Sequence, residues 1–259
     1  MDAVREAFNR HAGSYHTQFA GSAAGQAMRQ KVWDSADSVL PAGARVLDLG
    51  CGTGEDAIRF AQRGMRVTAV DIASEMIAEL DLKARAAGVA DRIDARVSDI
   101  ESLESPHESF DAIFSNFGAI NCLSNLTSLR VLASTALRPG GHLILVPMGR
   151  LYPLETATFL FKGDVRGAFR RFGSGCSATV EGRKFPVWYY SPRNLRQALG
   201  DEFSLTHLLG LRALLPAPGL EHLERYLPLP LFTSLDAALT HWRFTASLAD
   251  HYVSIWRYN

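Results

Sequence analysis

The sequence predicts an α/β fold: a doubly wound, seven-stranded, mostly parallel sheet of the Rossmann-like type, with helices before it and a lid inserted late. Three observations predict it. Short apolar runs typical of buried strands alternate with helical patterns between residues 44 and 147. The first run ends in a loop that contains three glycines, within residues 50–54. After residue 149 the alternation stops and aromatic residues become frequent, which indicates an addition to the sheet.

The N-terminal 40 residues are predicted to form two helices. Apolar side chains recur at three- and four-residue steps from Val4 and Phe8 to Tyr15, and again from Met28 to Val32. A Pro-Ala-Gly sequence at residues 41–43 ends the second helix. We expect residues 1–40 to cover one part of the sheet.

The central elements alternate strictly in type. The predicted strands are residues 44–49, 66–71, 93–97, 110–115 and 142–147, and the predicted helices between them are residues 57–62, 74–87 and 126–136. Strands joined through helices run parallel, with helices on both faces of the sheet.

The last third of the chain is predicted to add a lid and to complete the sheet. Its predicted elements are a helix at Leu154–Phe172, a hairpin at Ala178–Tyr190 with its turn at Glu181-Gly182, a helix at residues 191–199, a strand at Phe203–Leu211, a helix at Ser234–Ala249 and a strand at His251–Tyr258. Together they predict one domain, residues 1–259, with lid segments at residues 150–190 and 213–245.

Composition restricts the partners and the compartment. Twenty-seven basic residues balance 27 acidic ones, so no net charge attracts nucleic acid, and a small-molecule partner is favoured. The start lacks a basic and then apolar leader, and no stretch approaches the ~18 apolar residues of a membrane span. We therefore expect a cytoplasmic protein without a membrane span. Three scattered cysteines and dispersed histidines predict no metal site.

The glycine loop at Val46–Gly54 indicates a nucleotide-like ligand. Glycines let the chain turn off a strand and bring free amide groups close to a ligand at the start of a helix. Asp71 ends the next strand, where a carboxylate accepts hydrogen bonds from both hydroxyls of a ribose. A dinucleotide such as NAD fits this pattern too, because Gly52 and Gly54 precede Ala57 at the required spacing.

Local charge favours a different cofactor. Glu55 and Asp56 begin the helix where a pyrophosphate would lie, and their charges oppose it. S-adenosylmethionine has no phosphate and carries a sulfonium and an ammonium, so an acidic loop with Asp48 beneath it suits that cofactor better.

Five motifs occur in the order and at the spacing of a known family. They are Val46–Gly54, Val70–Met76, Val97–Ile100, Phe110–Asn116 and Leu137–Gly141. With them the chain resembles the class I S-adenosylmethionine-dependent methyltransferases, particularly the branch of quinone-biosynthesis and malonyl-carrier-protein methyltransferases. The resemblance covers about residues 8–149 and the terminal strands.

The resemblance implies which residues bind S-adenosylmethionine. Glycines would line the methionine moiety, Asp71 would bind the ribose, and Asp99 would hold the adenine amine between apolar neighbours. The implied cofactor-binding residues are Tyr15, Gly50, Cys51, Gly52, Asp71, Ile72, Met76, Asp99, Ile100 and Asn116.

Candidates for catalysis are fewer. His11 and His16 lie in the segment that covers the cofactor in such enzymes and are candidate bases, with a solvated helix face as the alternative. Tyr189 is a third candidate catalytic residue, and with Tyr190 and Asn121 it is a candidate to orient the acceptor. The cations Lys162, Arg166, Arg170 and Arg171 form either a solvated helix face or a docking site for an acidic substrate.

We therefore predict an S-adenosylmethionine-dependent methyltransferase. Its acceptor is a small hydrophobic or aromatic molecule, since the lid segments are rich in aromatics and leucine. Two alternatives are an NAD-dependent oxidoreductase and a non-catalytic partner subunit that binds the same cofactor. The sequence leaves open the methylated atom, the use of a base and the oligomeric state.

Overall fold

The computed structural model describes residues 1–15, 23–103, 109–173, 175–214, 236 and 242–259. Its helices are α1 (Asp2–Tyr15), α2 (Ala23–Asp37), α3 (Glu55–Gln62), α4 (Ser74–Ala86), α5 (Thr127–Ala136), α6 (Pro153–Phe161), α7 (Val165–Ala168) and α8 (Pro192–Leu199). Its strands are β1 (Arg45–Leu49), β2 (Arg66–Asp71), β3 (Ile93–Val97), β4 (Phe110–Ser115), β5 (Leu137–Leu145), β6 (Cys176–Val180), β7 (Arg183–Val187), β8 (Phe203–Leu211) and β9 (His251–Tyr258).

Seven of the strands form one sheet, which confirms the predicted fold. Their order is β3-β2-β1-β4-β5-β9-β8. The first five strands pair in parallel, whereas β9 runs antiparallel to both β5 and β8. The carboxyl ends of β1, β2, β4, β5 and β8 therefore meet at one edge of the sheet, and β9 begins at that same edge. In open sheets of this kind, ligands bind beyond the carboxyl ends of the strands.

Alternation along each strand builds two cores, one on each face of the sheet. In β1 and β4, Val46 and Phe114 point into the core shared with α2 and α3, whereas Leu47 and Ile113 point into the core shared with α5 and α8. These four side chains are almost completely buried. Because both faces are covered, the strands read as continuous apolar runs in the sequence.

The insertion after β5 is only partly as predicted. The helix expected over Leu154–Phe172 breaks at Gly163, which has a φ of +75°, and Asp164 then caps the short α7 by accepting from the Gly167 N–H. The hairpin of β6 and β7 is confirmed, with positive φ at both Glu181 and Gly182, as a two-residue turn of this kind requires.

Most of the second predicted lid segment, residues 213–245, lies outside the described residues. Within the helix predicted at Ser234–Ala249, Arg243–Ser247 forms a short 3₁₀ turn instead. In the described part of the chain, no helix has both the length and the apolar character needed to cross a membrane.

Candidate functional site

The loop after β1 is shaped by its glycines. Gly50, Gly52 and Gly54 have φ values of +69°, +53° and +85°, a region that L side chains rarely adopt. A Cβ built on Gly50 would lie 2.3 Å from the Cβ of Ala119, so only glycine fits there. The loop is therefore held close against the segment that follows β4.

Asp71 fixes the same loop from the end of β2. Its Oδ2 accepts from the N–H of Gly52 at 3.0 Å, and its Oδ1 accepts from the N–H of Ala73 at 2.9 Å. Burial raises the pKa of Asp71, and these backbone N–H groups oppose that rise. Each carboxylate oxygen keeps lone-pair capacity, which suits a pair of vicinal hydroxyls.

The acids that begin α3 are each paired with a cation. Glu55 accepts from Lys83 at 2.7 Å; burial alone would raise its pKa, but the hydrogen bond and charge of Lys83 bring that pKa below its usual value. Asp56 accepts from Arg29, from the indole N–H of Trp33 at 2.7 Å and from the Asn116 amide at 3.0 Å. The acidic helix start expected from the sequence is thus largely neutralised, and it excludes a pyrophosphate less strongly than the sequence suggests.

Asp48 is the acid in this region that keeps an unpaired oxygen. Its side chain is only 1% exposed, and its Oδ2 has no hydrogen-bond partner among the described residues. Burial raises the pKa of Asp48 well above its usual value, with Asp56 adding to that rise and Arg29 opposing it. An orphaned buried carboxylate is costly unless a ligand completes it. A cationic ligand such as the ammonium of S-adenosylmethionine fits this position.

One cavity of about 290 Å³ opens along this edge of the sheet. It brings together eight of the ten predicted cofactor residues. They are Gly50, Gly52, Asp71, Ile72, Met76, Asp99, Ile100 and Asn116. A pocket of this size is typical of a site for one small organic molecule.

The adenine end of the predicted site is apolar with one carboxylate. Met76 and the partly buried Ile72 and Ile100 provide flat apolar contact, while Asp99 follows β3. Asp99 also caps the next turn, because its Oδ1 accepts from the Glu101 N–H at 3.0 Å. The other carboxylate oxygen of Asp99 is left for an exocyclic amine. Asp99 can therefore cap this turn and contact a ligand at the same time.

Two predicted cofactor residues do not line the cavity as described. Cys51 is part of the glycine loop, and its side chain is buried. Burial raises the pKa of the Cys51 thiol well above its usual value, and the charges of Asp48 and Asp71 add to that rise. The side chain of Tyr15 lies outside the described residues.

The two predicted catalytic residues that the structure describes here, His11 and Tyr189, do not line the cavity. His11 faces the hairpin, with its Nδ1 3.1 Å from Glu181, and His16 lies outside the described residues. Tyr189 stacks under the guanidinium of Arg171 at 4.8 Å. Burial raises the pKa of Tyr189 to about 12 despite that guanidinium, so its phenol is a poor base near neutral pH.

The other two candidates for orienting an acceptor, Asn121 and Tyr190, make hydrogen bonds within the protein. The amide of Asn121 donates to the carbonyls of Met148 and Trp188 at 3.2 and 2.6 Å, and its oxygen accepts from the Met148 N–H at 2.8 Å. Tyr190 donates to the carbonyl of Leu123. Both side chains therefore join the loop after β4 to the insertion.

The predicted basic face is also smaller than expected. Arg171 is buried and paired with Glu155 and Asp250, and Arg170 pairs with Glu155 as well. Of the four cations, Lys162 and Arg166 stay exposed without a described ion pair.

Two side chains near the cavity were missed by sequence reasoning. Phe117 lines the cavity with a φ of +43°, a rare conformation for an aromatic residue and one that is found at functional sites. Arg29 of α2 lies 4.8 Å above the Phe117 ring. No local pattern identifies either residue, because their contacts come from elements far apart in the chain.

The cavity has a roof made of α1 and the β6–β7 hairpin. Its side chains are Met1, Val4, Phe8, Ala178, Val180, Phe185 and Val187. The rings of Phe8 and Phe185 pack at 5.7 Å, and Arg183 pairs with Glu6. The predicted N-terminal cover and the first lid segment thus meet over the site.

Comparison with known proteins agrees with this geometry. Residues 46–141 match the family model described as a methyltransferase domain. The chain is 34% identical over 116 residues to the ubiquinone biosynthesis O-methyltransferase of Xanthomonas axonopodis pv. citri, which is 42% of this chain and 45% of that enzyme. It is 36% identical over 113 residues, 43% of this chain and 38% of the relative, to an S-adenosyl-L-methionine-dependent Diels-Alderase of Talaromyces variabilis. The chain thus spans less than half the length of these curated relatives.

Solved structures resemble the chain over most of its length. A Listeria monocytogenes protein assigned as an S-adenosylmethionine dependent methyltransferase superposes with a TM-score of 0.62 at 17% identity, covering 90% of this chain and 99% of that one. The geranyl diphosphate C-methyltransferase of Streptomyces coelicolor gives a TM-score of 0.59 at 16% identity, covering 89% and 80%. Residues 46–141 therefore match the methyltransferase domain family, and the chain shares the fold of these S-adenosylmethionine-dependent methyltransferase structures, as the motifs predict.

Proposed function

We propose that the protein transfers the methyl group of S-adenosylmethionine to a small, largely apolar acceptor. The observation that carries the proposal is the gathering of eight predicted cofactor residues around one cavity. The glycine loop and Asp71 would hold the methionine and ribose parts of the cofactor, and Asp48 would face its ammonium. The bound cofactor supplies a methyl group on an activated sulfonium leaving group.

The residues of the chain mainly supply alignment and a dry site. Methyl transfer is an in-line displacement, so its rate depends on holding the acceptor atom behind the methyl carbon. Phe117 is in the loop after β4, and Met148 follows β5. Both line the cavity, where they can bound the space that the acceptor enters. Exclusion of water strengthens the electrostatic contacts within such a site.

The walls of the cavity indicate the class of acceptor. Every side chain of the roof is apolar, and Cys122 and Leu123 continue that surface from the loop after β4. Burial, followed by the charge of Asp71, raises the pKa of the Cys122 thiol to about 12, so this residue lines the cavity as a neutral group. A hydrophobic or aromatic molecule with one nucleophilic atom fits this lining better than a polyanion does.

Calorimetry with S-adenosylhomocysteine and with NAD tests the cofactor. We expect S-adenosylhomocysteine to bind and NAD not to bind. Asp71→Asn should weaken S-adenosylhomocysteine at least tenfold, since an amide cannot accept two ribose hydroxyls and two backbone N–H groups at once. Asp94→Asn, which alters an exposed carboxylate on β3, should leave the affinity unchanged. Tight NAD binding, or equal affinity in the Asp71→Asn variant, would contradict the proposal.

A panel of small phenols, amines and carbon acids with labelled S-adenosylmethionine tests the transfer itself. The proposal expects label in at least one apolar product. Cofactor binding without turnover on any acceptor would instead favour the non-catalytic subunit.

A further inference from the structure

A buried histidine lies at the ligand edge of the sheet and takes no part in the site described above. His251 is the first residue of β9, which begins where β5 ends, and it forms an isolated bridge with Met148. The alternation of β9 puts His251 on the same face as Val253 and Ile255, which belong to the core that also contains Phe114. Asn116 follows Phe114 on that face. With strands ~4.8 Å apart, β9 lies about 10 Å from β4 across the sheet.

A carboxylate holds the imidazole in place. The Nδ1 of His251 lies 3.1 Å from Oδ2 of Asp250. His251 is 7% exposed and Asp250 is 2% exposed. The other oxygen of Asp250 accepts from Arg171 at 2.7 Å, and Arg171 in turn donates to Glu155 at 2.6 Å. An Nδ1–H bonded to a carboxylate leaves Nε2 as the basic nitrogen. For Nε2, the described residues provide no hydrogen-bond partner.

The ring of His251 also contacts the cavity wall. It packs edge to face with Phe117 at a centroid distance of 5.8 Å, and both Phe117 and Met148 line the cavity. Phe117 has an unusual φ of +43°, and its ring contacts both His251 and the guanidinium of Arg29. His251 is not itself one of the residues that line the cavity, but its ring contacts one lining residue, Phe117, and its backbone pairs with another, Met148.

We propose that His251, oriented by Asp250, is the general base that deprotonates the methyl acceptor. This inference rests on the proposed function. In this arrangement the acceptor atom is the nucleophile, His251 is its base, and Asp250 is the third group, which orients the base. His11 also lies 3.1 Å from a carboxylate, that of Glu181, but His11 has no described ring contact with a residue of the cavity wall such as the one His251 makes with Phe117.

The proposed step balances in protons and electrons. As an O–H or similar acceptor attacks the methyl carbon, its proton passes to Nε2 of His251 and its electron pair forms the new bond. The carbon–sulfur bond breaks with its electron pair going to sulfur, which leaves a neutral thioether. The imidazolium that forms is stabilised by Asp250, which stays ionised because Arg171 donates to it.

Proton NMR titration of the imidazoles tests this placement without an acceptor. S-adenosylhomocysteine carries a neutral sulfur at the reacting position, whereas sinefungin carries an amine cation there. A unit charge about 10 Å away at an effective dielectric of ~20 lowers a histidine midpoint by about one pH unit. We expect the His251 midpoint to be lower by about that amount with sinefungin than with S-adenosylhomocysteine. His251→Gln identifies the resonance by its loss.

His207 is the internal control. It lies four residues before the end of β8, about 13 Å back from the ligand edge, so its midpoint should be the same with both ligands. The other charges near His251 are Asp250, Arg171, Arg212 and Arg29, and they are identical in both complexes. Equal His251 midpoints, or equal shifts at His207, would overturn the proposal.

Two further measurements separate the possible failures. If neither ligand binds, the proposed function fails rather than the assignment of the base. Asp250→Asn should change the nitrogen-15 tautomer signals of His251, because the carboxylate no longer selects the Nδ1–H form. An unchanged tautomer in that variant would remove Asp250 from the proposal.

Discussion

At the scale of single residues, glycine positions give the most direct test of the loop. Gly50 and Gly43 have similar φ values, +69° and +74°, but a Cβ on Gly50 would lie 2.3 Å from Ala119 whereas one on Gly43 meets nothing within 4 Å. Gly43→Ala should lower the free energy of unfolding by about 1–2 kcal/mol, the cost of an L residue in this region. Gly50→Ala should lower it further and also abolish S-adenosylhomocysteine binding. Urea unfolding and calorimetry measure both effects; equal losses in the two variants would contradict the close packing of the loop.

The residue scale also shows what the sequence could reveal about the site. Gly50, Gly52 and Asp71 were predictable because their roles depend on local spacing along a strand, a turn and the next strand. The charge balance was not, because the partners of Glu55 and Asp56 are Lys83 and Arg29, each more than 25 residues away. His251 is similar: a lone histidine before an apolar strand has no sequence signal, and its meaning comes from Asp250 and Phe117 together.

At the scale of elements, the strands were predicted better than the insertion. Buried parallel strands such as β1 and β4 are short apolar runs bounded by polar residues, and that pattern is hard to mistake. Apolar residues recur at helical spacing on both sides of Gly163, from Leu154 to Phe172, so periodicity could not locate the break. Gly163 and the Asp164 cap set the position of the break. After α7, Arg171 points inward and pairs with Asp250.

The buried Arg171 joins the insertion to β9. It donates to Glu155 of α6 and to Asp250, and its guanidinium stacks on Tyr152 at 5.3 Å. Arg171→Met would leave the buried carboxylate of Glu155 with only Arg170 and that of Asp250 with only His251, so we expect a loss of about 3–5 kcal/mol in the free energy of unfolding. Arg166→Met, on the exposed side of α7, should change it by less than about 0.5 kcal/mol. Urea unfolding distinguishes them, and similar values for the two variants would show that the ion pairs do not anchor the insertion.

The same network makes stability depend on pH in a defined direction. Burial alone would raise the pKa of Asp250, but the charges and hydrogen bonds of His251 and Arg171 bring it well below its ordinary value. A carboxyl with a depressed folded-state pKa stabilises the protein fully above its unfolded pKa of about 4, and this contribution is lost as pH falls further. The stability difference between the wild type and Asp250→Asn should therefore shrink as the pH falls from 4 to 2. Urea midpoints across this range measure it; a difference that grows on acidification would have the wrong sign.

At the scale of the whole molecule, the mostly parallel sheet followed from connectivity, whereas the enclosure of the site did not. Strands joined through helices have few parallel arrangements open to them, so the seven-stranded sheet was predictable. Which elements would meet over its edge depended on contacts such as Phe8 with Phe185 and Glu6 with Arg183, 177 residues apart in each case. Those contacts turn an open edge into a roofed cavity.

The roof predicts how ligands enter and leave. Because α1 and the hairpin contact each other across the cavity, exchange of the cofactor requires their contact to open. Phe8→Ala removes the ring that packs on Phe185 and should raise the dissociation rate of S-adenosylhomocysteine several-fold, with faster amide hydrogen exchange in residues 176–187. Phe161→Ala is the control, since that ring is 94% exposed and lies outside the cavity lining. Stopped-flow displacement measures the rates, and equal dissociation from the two variants would mean that the ligand leaves by a route that does not involve the roof.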